Sequence, residues 1–234
     1  MITGLYFNIK IMKKPIIIMA IMAAIIVLSA GGLSGYLYWQ KAGEDKFLSS
    51  NQQIREAYKT VKIRQEQLRE DKNNYDVYMS LAFHWKSIGE ATKDSKYLWR
   101  SAKVYDEVIR KWGSKAYLPF LNQANVYILL KEYARAESNL KIALEIDPGE
   151  QSLYVALADL YGTFMKKDSK AVRAVYEQGI KTVVGGGNLV VNYASYLNEL
   201  GEYKEALKYY KMLEQAYPTN PAYLPIIKEL ESKI

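Results

Sequence analysis

The fold is decided by two stretches of sequence, KEYARAESNLKIALEIDP at residues 131–148 and GEYKEALKYYKMLEQAYP at residues 201–218. They align without a gap. Equivalent places are separated by about two periods of ~34 residues, a period typical of arrays of helical hairpins. The pairs that carry the alignment are Glu132 with Glu202, Tyr133 with Tyr203, Ala136 with Ala206 and Pro148 with Pro218.

Working outward, four repeats can be laid out within residues 74–220, and a polar tail at 221–234 is expected to form a capping helix. The repeats cover about residues 75–116, 117–150, 151–186 and 187–220. Phe120, Ala124 and Tyr127 return one period later as Tyr154, Ala158 and Tyr161.

The first and third repeats are longer than this period. In the first repeat, Tyr78 and Ala82 precede Phe120 and Ala124 by clearly more than one period. We assign that excess to an enlarged loop at about residues 91–97. In the third repeat, a loop slightly longer than usual precedes its second helix.

This pattern resembles the tetratricopeptide repeat family, over about residues 75–234. Ala124 and Ala136 are small where the two helices of a hairpin would cross, and Asp147-Pro148 would end the second helix, since proline cannot donate to the helical ladder. The resemblance implies an all-α solenoid of helix hairpins that serves as a protein-binding scaffold. The departures from the family pattern are Gln123, Tyr193 and Gly179.

The same resemblance places the first helix of every hairpin along a groove that would bind a protein or peptide partner. Leu121 and Ala156 stand where carboxylate-binding members of the family have lysine and asparagine, so that clamp is absent here. An apolar surface mixed with amides suits an extended peptide or a helix. The alternative occupant is the chain's own helix at 44–72. The predicted partner-binding residues are Leu121, Asn125, Ile128, Val155, Asp159, Val191, Asn192 and Ser195.

Residues 15–40 carry no charge and follow a short basic segment at residues 1–14. About 20 apolar residues suffice to cross a bilayer, so we expect a single transmembrane helix, retained as a signal-anchor, with the lipid bilayer as a partner. The alternative is a cleaved signal peptide and a secreted protein. The predicted interface residues are Lys13, Lys14, Tyr36, Tyr38 and Trp39, because amphipathic rings and lysines favour the headgroup level.

The basic start favours a membrane protein whose repeats lie outside the cytoplasm. Gly31 and Gly35 form a small-xxx-small pair that would let two membrane helices approach closely. This pair leaves open a homo-oligomer, that is, a structural subunit of a larger membrane or envelope assembly.

Residues 41–73 are predicted to form one amphipathic connecting helix. Phe47, Ile54, Val61 and Leu68 recur every seven residues, but a second apolar seam is missing. The narrow stripe favours packing on the first repeat over a self-associating stalk.

The composition excludes several kinds of chemistry. The chain has no cysteine and one histidine, His84, so disulfides, thiolate zinc sites and two-histidine metal sites are excluded. Three of the seven net positive charges are Lys10, Lys13 and Lys14, before residue 40. The rest are spread over helices with alternating charges, which argues against nucleic-acid binding. Gly185-Gly186-Gly187 lacks the Lys-Ser/Thr of a P-loop. We therefore expect no enzyme activity, metal or cofactor.

Overall fold

The computed structural model describes Ser34 and residues 37–234, and the chain divides into two compact parts, residues 1–55 and 56–234. No helix among these described residues is long and apolar enough to cross a membrane. The span predicted at residues 15–40 lies outside the described residues, apart from Ser34 and residues 37–40. Also outside are Lys13, Lys14, Gly31, Gly35 and Tyr36.

The single helix predicted over residues 41–73 needs correction, because residues 51–54 are not helical. Residues 37–50 are helical, and helix α1 then spans Arg55–Glu70. Between them, the Asn51 side chain accepts a hydrogen bond of 3.0 Å from the backbone N–H of Gln53. Asparagine favours such local turns over a continuing helix.

Helix α1 packs on the first repeat, as predicted for this part of the chain, although Phe47 at the start of the predicted apolar stripe is exposed. Val61 is fully buried. The ring of Tyr58 lies 6.2 Å from that of Trp85, and Arg64 Nε donates to Ser80 Oγ at 3.0 Å.

Four helical hairpins follow in chain order, and the described residues contain no β-strand. Their helices are α2 Tyr75–Thr92 with α3 Ser95–Trp112, α4 Leu118–Leu129 with α5 Tyr133–Ile146, α6 Gln151–Asp159 with α7 Ser169–Thr182, and α8 Gly187–Glu199 with α9 Tyr203–Ala216. A 3₁₀ turn, Gly113–Lys115, follows α3, and a π-helical turn, Leu160–Phe164, extends α6. Helix α10, Tyr223–Glu231, packs on α9.

Small residues lie where helices approach most closely. Ala124 and Ala136 are fully buried in the second hairpin. Gly179 replaces the family's alanine because a Cβ there would lie 2.7 Å from both Tyr154 Cγ and Leu189 Cδ2. Most of the large, fully buried side chains around these crossings are aromatic or leucine, so the tyrosines serve chiefly as core.

The enlarged loop predicted at residues 91–97 is wrong. In the second and fourth repeats the turn after the first helix contains Lys131 and Gly201, whose φ angles are 62° and 77°. The equivalent residue in the first repeat, Gly89, is still helical, and the turn comes four residues later at Lys93, with φ 58°. The extra residues therefore extend both helices of this hairpin, which have 18 residues each.

In the third repeat the extra residues are divided between the π turn and the loop. The closing hydrogen bonds of the second and fourth repeats run from Glu132 N–H to Tyr127 O and from Glu202 N–H to Leu197 O, each spanning five residues. The equivalent bond of the third repeat runs from Lys167 N–H to Tyr161 O and spans six. One residue has thus been inserted within the helix end, which is how π turns arise.

Candidate partner-binding groove

A groove of about 710 Å³ is lined by the first helices of all four repeats. Each helix contributes side chains from one face, because residues four apart lie on the same side of a helix. The lining residues are Lys86 and Glu90 from α2; Leu121, Asn125, Ile128 and Leu129 from α4; Glu150 before α6; Gln151, Ser152, Val155, Ala156 and Asp159 from α6; Phe164 from the π turn; and Asn188 and Asn192 from α8.

Six of the eight predicted partner-binding residues meet in this groove: Leu121, Asn125, Ile128, Val155, Asp159 and Asn192. Val191 and Ser195 do not line it. On α8 the groove face carries Asn188 and Asn192, and Val191 lies one residue, or about 100°, away on a face that packs against the core.

The structure adds residues that sequence reasoning missed, chiefly Phe164 and Glu150. Phe164 lies in the π turn, 40 % exposed, with its ring 5.9 Å from that of Tyr133. The extra length of the third repeat was the only sequence signal for its position. Glu150 precedes α6 and lies at the edge of the groove.

Glu150 is held by two hydrogen bonds. Its side chain accepts from the backbone N–H of Ser152 at 2.9 Å and from the hydroxyl of Tyr117 at 3.0 Å. The bond from Ser152, with a smaller effect from Tyr117, lowers the pKa of the Glu150 carboxyl. This carboxylate therefore caps α6 and fixes the beginning of one groove-lining helix.

The amides of the groove have free hydrogen-bonding groups. Asn192 Nδ2 donates to the carbonyl of Asn188 at 2.8 Å, so Asn192 Oδ1 remains as an acceptor. The side chain of Asn125 makes no hydrogen bond within the described part of the chain. Such groups could bond to the backbone of a peptide.

The charged side chains differ in their pairing. Lys86 lies 3.7 Å from Glu90, four residues along α2. Asp159 is exposed and forms no ion pair with any described residue. Partial desolvation, and secondarily the negative charge of Glu199, raise the pKa of Asp159.

Helix α1 contributes no residue to the groove lining. The helical segment at residues 56–70 packs on the first repeat instead. This part of the chain is therefore not the occupant that the sequence left as an alternative.

The residues outside the groove show no catalytic arrangement within the described part of the chain. His84 Nδ1 lies 2.7 Å from the backbone oxygen of Ser80, within its own helix. Among the described residues, no group of three or more His, Asp or Glu side chains is placed to hold a metal ion.

The hairpin geometry is similar to that of solved repeat proteins. Two crystal structures of MamA match with TM-scores of 0.51 and 0.52, each at 16 % identity, covering 66 % and 70 % of this chain and 85 % and 84 % of MamA. TTC0263, a thermophilic TPR protein of Thermus thermophilus, matches at 13 % identity with a TM-score of 0.51, over 73 % of this chain and 88 % of that protein.

This chain has the tetratricopeptide repeat (TPR) fold. No family model and no curated protein match its sequence. The predicted all-α TPR solenoid is thus confirmed by structural likeness, and the groove lies between the first helices of a TPR array.

Proposed function

We propose that this protein is a scaffold that holds a protein or peptide partner in the groove of its TPR array. The observation that carries the proposal is the groove itself, in which four successive hairpins contribute apolar side chains and amides to one surface. A segment lying there would bury the exposed parts of Leu129 and Phe164 and form hydrogen bonds with Asn125 and with the acceptor Oδ1 of Asn192.

The scaffold is further proposed to be anchored in a membrane, with the array outside the cytoplasm. The uncharged run at residues 15–40 supports the anchor, because it is long enough to cross a bilayer. Tyr38 and Trp39 lie at its end and are 70 % and 76 % exposed, as suits rings at the headgroup level.

Paired asparagine substitutions test the groove. Asn125→Ala with Asn192→Ala removes two polar contacts, and each contact contributes about 1 kcal/mol. We therefore expect partner capture, measured by crosslinking in native membranes and mass spectrometry, to fall about tenfold or more. Little stability should be lost, since Asn125 makes no hydrogen bond in the described part of the chain and Asn192 donates only within its own helix.

The matched control is Asn122→Ala with Asn198→Ala. These asparagines lie on the same two helices, α4 and α8, but do not line the groove. If the control pair reduces capture as much as the groove pair, or if the groove pair lowers the melting temperature in parallel with capture, the proposed function is wrong.

Two measurements, one on isolated membranes and one on intact cells, test the anchor. The protein should stay in the membrane pellet after an alkaline wash, and external protease should degrade residues 41–234. Release by the wash would refute the anchor, while protection from the protease would place the array in the cytoplasm.

A further inference from the structure

The groove has the opposite charge to the chain that contains it. The whole chain carries +7, yet the groove is lined by one lysine, Lys86, and three carboxylates, Glu90, Glu150 and Asp159. Electrostatic complementarity guides association and selects partners. A basic segment is therefore attracted by the groove, where carboxylates outnumber the one lysine.

Only one of these carboxylates lacks a partner in the described part of the chain. Glu90 faces Lys86, and Glu150 accepts from Ser152 and Tyr117. Asp159 has neither an ion pair nor a hydrogen bond there, and Glu199, whose charge helps to raise the pKa of Asp159, has the same sign. A cation at Asp159 would relieve this uncompensated charge.

The groove lining that contains Asp159 also presents a free acceptor and apolar surfaces. Asn192, on α8, has its amide N–H₂ directed to Asn188 and its Oδ1 free. Helix α8 packs against α6, which carries Asp159 and, one turn earlier, Val155. Phe164 follows in the π turn and exposes its ring. This combination suits a long side chain whose stem is apolar and whose head is a cationic donor.

We propose that the groove selects a peptide segment in which a lysine or arginine lies next to apolar residues, with the cationic head bound at Asp159 and Asn192. The inference rests on the proposed function and names the class of its partner. A free carboxylate or an acidic peptide is disfavoured, because Lys86, the single cation of the lining, is already paired with Glu90.

The test uses the full-length chain in detergent micelles and a random peptide library displayed on phage. Selected peptides should be enriched in lysine or arginine flanked by apolar residues. Each selected peptide is then resynthesised with its basic residue replaced by glutamine. That replacement should weaken binding to the wild-type protein about tenfold, since a charge-assisted hydrogen bond is lost.

A double-mutant cycle assigns the effect to one residue. In Asp159→Asn the lysine and glutamine peptides should bind almost equally, whereas Asp159→Glu should keep the preference for lysine. Glu145→Gln is the matched control, because it removes an exposed carboxylate on α5 that lies outside the groove. It changes the net charge by the same amount and should bind as wild type does. The preference should also weaken as salt is added.

The possible outcomes distinguish a failure of this inference from a failure of the proposed groove function. If peptides depend on Asn125 and Asn192 but show no basic preference, or if Asp159→Asn keeps that preference, the inference is wrong and the groove function stands. If no recovered peptide depends on Asn125 and Asn192, the groove function fails and the inference fails with it.

Discussion

The first and third repeats both contain more residues than a standard hairpin, and they accommodate the excess in different ways. The equivalent alanines Ala82 and Ala124 are much farther apart in sequence than one period, and Ala158 and Ala194 are slightly farther apart. In the first repeat both helices lengthen and the turn between them stays short. In the third repeat the end of the first helix becomes a π turn, and the loop gains a residue.

The difference follows from helix geometry. Four extra residues are close to one turn of about 3.6 residues, so the helix can continue and present the same face. A single extra residue would rotate everything after it by about 100°, so it is absorbed in a π turn instead. The π turn has a consequence for the site, because it brings Phe164 to the groove.

The largest expected effect comes from deleting one residue from the first repeat. Deletion of Ser87 from α2 rotates Ile88, which is fully buried, and Gly89, where a Cβ would lie 2.7 Å from Leu98. We expect a loss of about 3 kcal/mol or more in the free energy of unfolding, comparable to removing a large core side chain. Urea denaturation followed by circular dichroism measures it.

Deletion of one residue from the third repeat should reduce the free energy of unfolding much less. Deletion of Thr163, which is exposed, lets the π turn close as an ordinary helix end, and we expect a change below about 1 kcal/mol. The deletion should nevertheless alter partner binding, since Phe164 is displaced. Equal losses from the two deletions would contradict this account of how the repeats differ.

The next largest expected effect on stability concerns a carboxylate that forms hydrogen bonds with the extended end of α6 in the third repeat. Glu137 on α5 accepts from Tyr161 at 2.8 Å, Lys167 at 3.2 Å and Lys141 at 2.8 Å. Burial alone would raise the pKa of Glu137, but these hydrogen bonds outweigh it and lower the pKa to about 2. Because the folded pKa lies below the ordinary value of 4.5, this stabilisation is present above pH 4.5 and is lost as pH falls towards 2.

Unfolding measured between pH 6 and pH 3 checks this prediction. Glu137→Gln should lose about 1 kcal/mol at neutral pH, after allowance for solvent screening, and should show a shallower pH dependence than wild type. The control is Glu66→Gln, whose carboxylate pairs with Arg69 at an exposed site and should cost almost nothing. A Glu137→Gln profile parallel to wild type would refute the role of Glu137.

The smallest effect tests what the two repeats share. Lys93 and Lys166 lie just after the first helices of the first and third repeats and have φ angles of 58° and 53°. In the fourth repeat Gly201 has this conformation. Lys93→Gly and Lys166→Gly should each stabilise the protein by about 0.5 kcal/mol, since glycine adopts this conformation without steric cost. Thermal unfolding should show similar gains, and a loss at only one site would mean that its lysine side chain contributes more than its backbone.

The sequence predicted the repeats well because each hairpin repeats one set of contacts. Ala124 and Ala136 marked a helix crossing, and both are fully buried. The resemblance to the tetratricopeptide repeat family placed Leu121, Asn125, Ile128 and Val155 in the groove, and they line it. Departures from the period were harder to interpret, because a count of extra residues does not say whether they form loop, helix or π turn.

Buried polar residues show another limit of sequence reasoning. Gln123 was only a departure from the family's leucine, yet it is 2 % exposed and joins three helices. Its Nε2 donates to Ala102 O at 2.9 Å and to Asp106 at 2.6 Å, and its Oε1 accepts from Asn139 at 2.8 Å. These partners lie on α3 and α5, and no local pattern links them.

The amino-acid sequence by itself determined the all-α repeat, the number of hairpins, the helix-breaking Asp147-Pro148 and the uncharged run at residues 15–40. All of these depend on local periodicity or composition. Only the tertiary structure decided which faces meet around the groove, that Val191 and Ser195 do not line it, and that Asp159 lies in it without a partner in the described chain. Those properties depend on how much each helix is rotated and extended, and a change of one residue is enough to alter them.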